Sequence, residues 1–121
     1  MENLSIINEA HFLILSTEQE PNDNLFLEKI FKMYFDRSHE IFHQIEKLLI
    51  KNEFELICDE LHSLQGISSV LGLDLISFKC FDIEKKIKNK DFEMITHDFE
   101  LLKEIRTTTL DELSKRIFVK K

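Results

Sequence analysis

Hydrophobic positions recur with a helical period along most of the chain. In the first long stretch they lie three, four or seven residues apart and form two adjacent stripes. The first stripe consists of Leu27, Ile30, Tyr34, Ile41, Ile45 and Leu48, and the second of Phe31, Phe35, Phe42 and Leu49. This spacing is typical of an amphipathic helix, and its double width indicates neighbours on two sides. The polar break at residues 16–24, which contains Pro21, predicts a turn and an N-cap before this helix.

Three further amphipathic stretches follow, and short polar joints separate them. The inward positions are Phe54, Ile57, Leu61, Leu64, Ser68 and Leu71 in the second helix, Leu73, Ile76, Cys80, Ile83 and Ile87 in the third, and Phe92, Ile95, Phe99, Leu102, Ile105, Leu110, Leu113 and Ile117 in the fourth. Gly72 is suited to a left-handed C-cap. The basic run at Lys85, Lys86, Lys88 and Lys90 suits the negative end of the helix dipole and requires no ligand.

Length and composition indicate one all-α domain. A chain of 121 residues with 43% hydrophobic residues can close a single core, and 2 Gly and 1 Pro leave little material for β-turns. Short joints between consecutive helices favour an antiparallel up-down-up-down bundle. We therefore predict a four-helix bundle over residues 22–118, preceded by an N-terminal arm or short helix over residues 1–21 that lies across the bundle.

The charge balance narrows the classes of partner. A net charge of −7 argues against binding a phosphate backbone, so no nucleic acid is expected. The longest early apolar run, residues 12–15, is too short for a signal peptide or membrane span. Cys58 and Cys80 show neither a disulfide framework nor zinc-ligand spacing. We expect a soluble, monomeric, cytoplasmic protein with reduced cysteines, which in a eukaryote would also enter the nucleus.

One face of the second helix carries an unusual set of small residues. Gly66 stands in the helix interior, where glycine costs about 1 kcal/mol relative to alanine. His62 lies one turn before Gly66, Cys58 one turn before His62, and Ser69 extends the same face. Small neighbours would leave the imidazole of His62 accessible to another molecule.

The third helix offers a partner for this histidine. His62 lies 10 residues before Gly72 and Glu84 lies 12 after it, which gives heights of about 15 and 18 Å on adjacent antiparallel helices. A carboxylate at that level would accept a hydrogen bond from one ring N–H, fix the tautomer and leave the other nitrogen as a nucleophile. Two ordinary exposed helix residues would show the same spacing.

Residues 62–72, HSLQGISSVLG, resemble the signature of the histidine-containing phosphotransfer (HPt) domain, roughly H-x-L-K-G-S-S-x-x-L-G. The positions that match are His62, Leu64, Gly66, Ser68, Leu71 and Gly72. The resemblance extends over about residues 22–115, and Cys80 and Glu84 fall where the family commonly has a cysteine and a polar residue facing the histidine. Two positions depart from it: Gln65 replaces a lysine that screens phosphoryl charge, and Ile67 replaces a small residue.

The resemblance implies a phosphoryl carrier, without kinase or nucleotide-binding activity. His62 would take the phosphoryl group from an aspartate of one receiver domain and pass it to another. The implied partners are the receiver domains of a hybrid histidine kinase and of a response regulator. No cofactor is expected on this chain, because the receiver brings the Mg²⁺. The implied supporting residues are Glu84, Gln65 and Gly66, and the implied docking residues are Cys58 and Ser69, with the N-terminal segment as a further candidate.

Two other interpretations remain open. The chain could be a helical adaptor that docks receiver domains or other partners without phosphotransfer, an interpretation that Gln65 supports. His39 and His43 are also spaced i, i+4, as in some metal sites of helical bundles, but di-metal bundles carry a Glu-x-x-His pattern on each of two helices, and here only Glu40 and His43 fit it. A solvated helix face explains that pair more simply. His11 and His97 indicate no site.

Overall fold

The computed structural model describes residues 5–17 and 25–118, which form five α-helices. They are α1 (Glu9–Thr17), α2 (Leu25–Ile50), α3 (Phe54–Val70), α4 (Asp74–Lys88) and α5 (Ile95–Phe118). Helices α2 to α5 form an antiparallel bundle, in which α2 packs against α3 and α5 and α4 packs against the same two helices. The described residues contain no strand. The predicted all-α four-helix bundle with an N-terminal helix is confirmed.

The core consists of the residues that the helical period placed inward. The largest fully buried apolar side chains are Ile41, Ile45, Ile57, Leu61, Leu64, Leu73, Ile76, Ile83, Ile95 and Leu102. The second stripe of α2 is only partly buried. Phe42 packs on Phe99 and Phe31 on Phe118, each with ring centroids 5.3 Å apart, whereas Phe35 is 44% exposed. The ring of Phe35 lies 5.4 Å from the guanidinium of Arg106, at the bundle surface rather than in the core.

Each joint of the bundle contains one residue in the left-handed region. Gly72 has a φ of 71°, as its C-cap role predicts, and Asn52 and Lys90 have φ values of 58° and 61° in the other two joints. The last joint is longer than predicted, because α5 begins at Ile95 and Phe92 precedes it. The ring of Phe92 stacks on that of Phe54 with centroids 4.3 Å apart, so Phe92 packs on the start of α3 without being helical.

Helix α1 covers the end of the bundle that contains the α3–α4 turn. The backbone N–H of Asn8 donates to the carbonyl of Gly72 at 2.8 Å, and its side-chain amide donates to Asp74 at 3.1 Å. At the other side, the guanidinium of Arg116 donates two hydrogen bonds, of 2.8 and 2.6 Å, to the carboxylate of Glu9. These contacts hold α1 to the ends of three helices of the bundle.

The predicted break at residues 16–24 lies largely outside the described residues. Ser16 and Thr17 belong to α1, which begins at Glu9. The N-cap and turn predicted around Pro21 fall in residues 18–24, outside the described part of the chain. No helix among the residues described is both long and apolar enough to cross a membrane.

Candidate functional site

His62 lies on the outward face of α3, since Leu61 and Leu64 beside it are fully buried. Its side chain is 78% exposed. One turn further along, Gly66 faces open space, because a Cβ built on it meets no atom within 4 Å. The glycine is therefore not required for packing within this chain, and its effect is to leave the surface beside the imidazole low and open.

Glu84 on α4 faces the imidazole ring. Its Oε2 lies 4.0 Å from Nδ1 of His62, and the carboxylate is only 12% exposed. A separation of 4.0 Å is too long for a hydrogen bond. The expected hydrogen bond is thus absent, although the two side chains meet at the level that the residue count indicated. The same Oε2 lies 3.5 Å from Nζ of Lys88, one turn along α4.

An open cleft of about 530 Å³ lies between α3 and α4 at this point. We call it the His62 cleft, and its lining residues are His62, Gln65, Phe81, Glu84, Lys85, Lys88 and Asn89. The lysines of the basic run of α4 therefore have different surroundings. Lys85 and Lys88 line the cleft, whereas Lys86 faces α5 and binds Asp98 with an Nζ–Oδ2 distance of 2.8 Å.

Ser68 joins the candidate site to the interior of the bundle. Its hydroxyl is buried and lies 2.8 Å from the hydroxyl of Tyr34 on α2. Burial raises the pKa of Tyr34, and the hydrogen bond to Ser68 offsets part of that effect. The phenol stays protonated, so the contact is a neutral hydrogen bond that ties α3 to α2 beneath its exposed face.

A family model of the Hpt domain matches residues 29–115. The chain belongs to the Hpt domain family. The match extends from α2 into α5 and includes every residue of the His62 cleft. Hpt domains are phosphocarrier modules of two-component signalling, not kinases, and they interact with receiver domains. No curated protein and no solved structure gives a significant match to the chain.

The two docking residues suggested for this Hpt domain have different surroundings. Cys58 is partly buried, and burial, reinforced by the charge of Glu84, raises the pKa of its thiol. Ser69 is exposed, and its hydroxyl lies 3.0 Å from that of Ser77 on α4. Both belong to the face of α3 that carries His62, but neither lines the His62 cleft. Cys58 offers little surface to a partner.

A second, apolar groove along α3 was not expected from the sequence. It has a volume of about 390 Å³ and lies between α2 and α3; we call it the α2–α3 groove. Its lining residues are Ile30, Met33, Tyr34, Arg37, Ile67, Val70 and Leu71. Met33 and Val70 are each 66% exposed. Because His62, Gly66 and Val70 follow one another at four-residue intervals, the groove begins on the same face of α3 as the histidine.

His39 and His43 lie on the opposite side of the bundle, between α2 and α5. They line a cavity of about 210 Å³ together with Glu46, Lys103 and Arg106. Lys103 pairs with Glu46 at 3.0 Å, so the carboxylate that lines this cavity with the histidines already has a cationic partner. Among residues 5–17 and 25–118, no three His, Cys, Asp or Glu side chains are grouped as metal ligands. The geometry favours the solvated-face interpretation of this pair.

Proposed function

We propose that this Hpt domain relays a phosphoryl group between aspartates of receiver domains through a phosphohistidine at His62. The observation that carries the proposal is a 78% exposed imidazole with a largely buried carboxylate 4.0 Å from its Nδ1. Nδ1 faces Glu84, which leaves Nε2 for a partner. Gly66 supports the proposal because it leaves open space one turn away, where a receiver domain must approach closely.

The transfer exchanges one bond to phosphorus for another. The P–O bond of the receiver's aspartyl phosphate breaks as Nε2 of neutral His62 forms an N–P bond, and the aspartate leaves as a carboxylate. The ring keeps its proton on Nδ1 and gains positive charge during attack. The carboxylate of Glu84 lies on that side of the ring, so it stabilises the developing charge and orients the imidazole. Transfer to a second receiver reverses these steps.

The chain contributes position and access, and the receiver contributes the rest of the chemistry. Gln65 lines the His62 cleft and donates an amide hydrogen bond to a phosphoryl oxygen. Mg²⁺ is held by the receiver, and this chain needs no cofactor of its own. Each chain carries one phosphoryl group at a time, so it acts stoichiometrically between a hybrid kinase and a response regulator.

The receiver domain docks over His62 and extends along α3 onto the α2–α3 groove. Residues 62 and 70 are about 12 Å apart along the helix, which is well within the footprint of one protein interface. The groove is lined mainly by apolar side chains, which is the usual character of the centre of an interface. Ser69 is exposed on the α4 side of the same helix, next to Val70 in the chain, and contributes to the polar rim of this surface.

Phosphoryl transfer from a labelled receiver tests the proposal. The protein is incubated with a receiver domain that a kinase has phosphorylated, and acid-labile, base-stable label is followed on the wild type and on His62→Gln. His97→Gln is the matched control, because His97 is also an exposed helical histidine. We expect label on the wild type and on His97→Gln, and none on His62→Gln.

Two results would overturn the proposal. Label that persists on His62→Gln would place the phosphoryl group on another residue. An unlabelled wild type that nevertheless binds receivers would identify a docking adaptor that does not carry phosphate.

A further inference from the structure

The lysine that the family signature places one residue before the glycine is replaced by Gln65 in this chain. The His62 cleft nevertheless contains two ammonium groups, because Lys85 and Lys88 reach it from α4. We propose that Lys88, assisted by Lys85, supplies from α4 the positive charge that the lysine of the family signature would supply from α3. This proposal rests on the phosphoryl-carrier function proposed above.

Lys88 is placed beside the reacting ring through a shared partner. Oε2 of Glu84 lies 3.5 Å from Nζ of Lys88 and 4.0 Å from Nδ1 of His62. The lysine side chain is 69% exposed, so its long stem is free to swing toward a group bound on the ring. Lys86, only two positions away, is held instead by Asp98 and Asp82 and faces α5.

The charge of the cleft changes when the ring is phosphorylated. A phosphoryl group adds between one and two negative charges next to a carboxylate that is already present, so repulsion would oppose transfer to Nε2. An ammonium at this point donates charge-assisted hydrogen bonds to phosphoryl oxygens and offsets the repulsion. Gln65 can donate a hydrogen bond, but it adds no charge. Neutralising the negative charge of a phosphoryl group on His62 therefore depends on the lysines of α4.

The test compares transfer rates from one phosphorylated receiver to the wild type, Lys88→Gln and Lys115→Gln. Lys115 is the matched control, because it is 66% exposed and forms an i, i+4 ion pair with Asp111, as Lys88 does with Glu84. We expect Lys88→Gln to slow transfer roughly tenfold, the effect of losing one charge-assisted hydrogen bond. Lys115→Gln is expected to match the wild type.

Rescue distinguishes charge supply from a structural effect. Lys88→Arg keeps the charge and should retain the wild-type rate. Adding Gln65→Lys to Lys88→Gln returns a cation to α3 and should restore most of the lost rate. Equal rates for Lys88→Gln and Lys115→Gln, or no rescue by Gln65→Lys, would overturn this proposal and leave the carrier function intact. A wild type without label at His62 would instead contradict the carrier function itself.

Discussion

Gly72 lies directly beneath the side chain of His11, and a Cβ built on Gly72 would come within 2.7 Å of Cβ of His11. Its φ of 71° is also a conformation that costs other residues about 1–2 kcal/mol. We therefore expect Gly72→Ala to lower the free energy of unfolding by about 2 kcal/mol or more, as strain and clash combine. Urea unfolding followed by circular dichroism measures this, and an unchanged midpoint would contradict it.

Replacing Gly66 by alanine should raise the free energy of unfolding, whereas the same substitution at Gly72 lowers it. A methyl group there meets nothing within 4 Å, and alanine is the better helix former, so Gly66→Ala should stabilise the protein by about 1 kcal/mol. Phosphotransfer should nevertheless slow, because the added methyl group narrows the approach to His62. Unfolding and transfer are measured on the same preparation. A variant that is more stable and equally active would show that Gly66 has no role in access.

The buried pair of Tyr34 and Ser68 predicts a coupled loss of stability. Tyr34→Phe leaves the buried hydroxyl of Ser68 without the partner that now lies 2.8 Å away, and we expect a cost of about 1–2 kcal/mol. Ser68→Ala should cost a similar amount. The double variant should cost less than the sum of the two, because both single changes remove one interaction. Strictly additive costs in urea unfolding would mean that the two hydroxyls do not interact.

The α2–α3 groove predicts an effect on receiver binding that leaves the fold unchanged. Met33 is 66% exposed in the groove, so Met33→Glu should fold normally and place a charge on an apolar contact. We expect receiver affinity to fall by about tenfold or more. Ile50→Glu is the control, because Ile50 is 83% exposed at the far end of α2. Titration calorimetry compares them, and equal affinities would remove the groove from the docking surface.

Most of the fold follows from the sequence because burial repeats with the helical period. Leu61 and Leu64 are fully buried where the apolar spacing placed them. The joints were less predictable. Gly72 signals a left-handed residue, but Lys90 adopts the same conformation without any such signal. Phe92 satisfies the helical period and yet stacks on Phe54 ahead of α5, because periodicity does not distinguish a helical residue from one that packs nearby.

The sequence predicted the level of Glu84 and His62 along the helix axes, but not the direction in which each side chain of α4 points around its axis. Counting residues from the turn brought Glu84 to the level of His62, since both helices rise by the same amount per residue. The count does not say which way α4 turns its lysines. Lys88 follows Glu84 by four residues and so shares its face, which was the available signal. The helix dipole explained the same lysines equally well, and only the packed structure separates Lys88 from Lys86.

A second charge cluster ties α4 to α5 and predicts a pH-dependent contribution to stability. Asp98 is 4% exposed, and it accepts hydrogen bonds from Nζ of Lys86 at 2.8 Å and of Lys79 at 3.2 Å. Burial raises the pKa of this carboxyl, but the two hydrogen bonds outweigh burial and hold it below its ordinary value of 3.8. The ionised form is therefore favoured more in the folded state than in the unfolded chain.

Asp98→Asn should lower the free energy of unfolding by about 2 kcal/mol at pH 7. The expected loss is smaller than for a fully buried ion pair, because in the variant the carboxylate of Asp82 remains 3.6 Å from both lysines. Since the folded pKa is the lower one, the contribution of Asp98 is complete above the unfolded pKa and is lost as the pH falls through the folded pKa. The difference in the free energy of unfolding between wild type and variant should thus be constant from pH 7 to 5 and shrink below pH 4.

Asp111→Asn is the control, because Asp111 is an exposed carboxylate paired with Lys115, and it should change stability by less than about 0.5 kcal/mol. Urea unfolding at pH 7, 5 and 3 measures both variants, and a difference for Asp98→Asn that grows in acid would show that the carboxylate does not stabilise the fold through its charge.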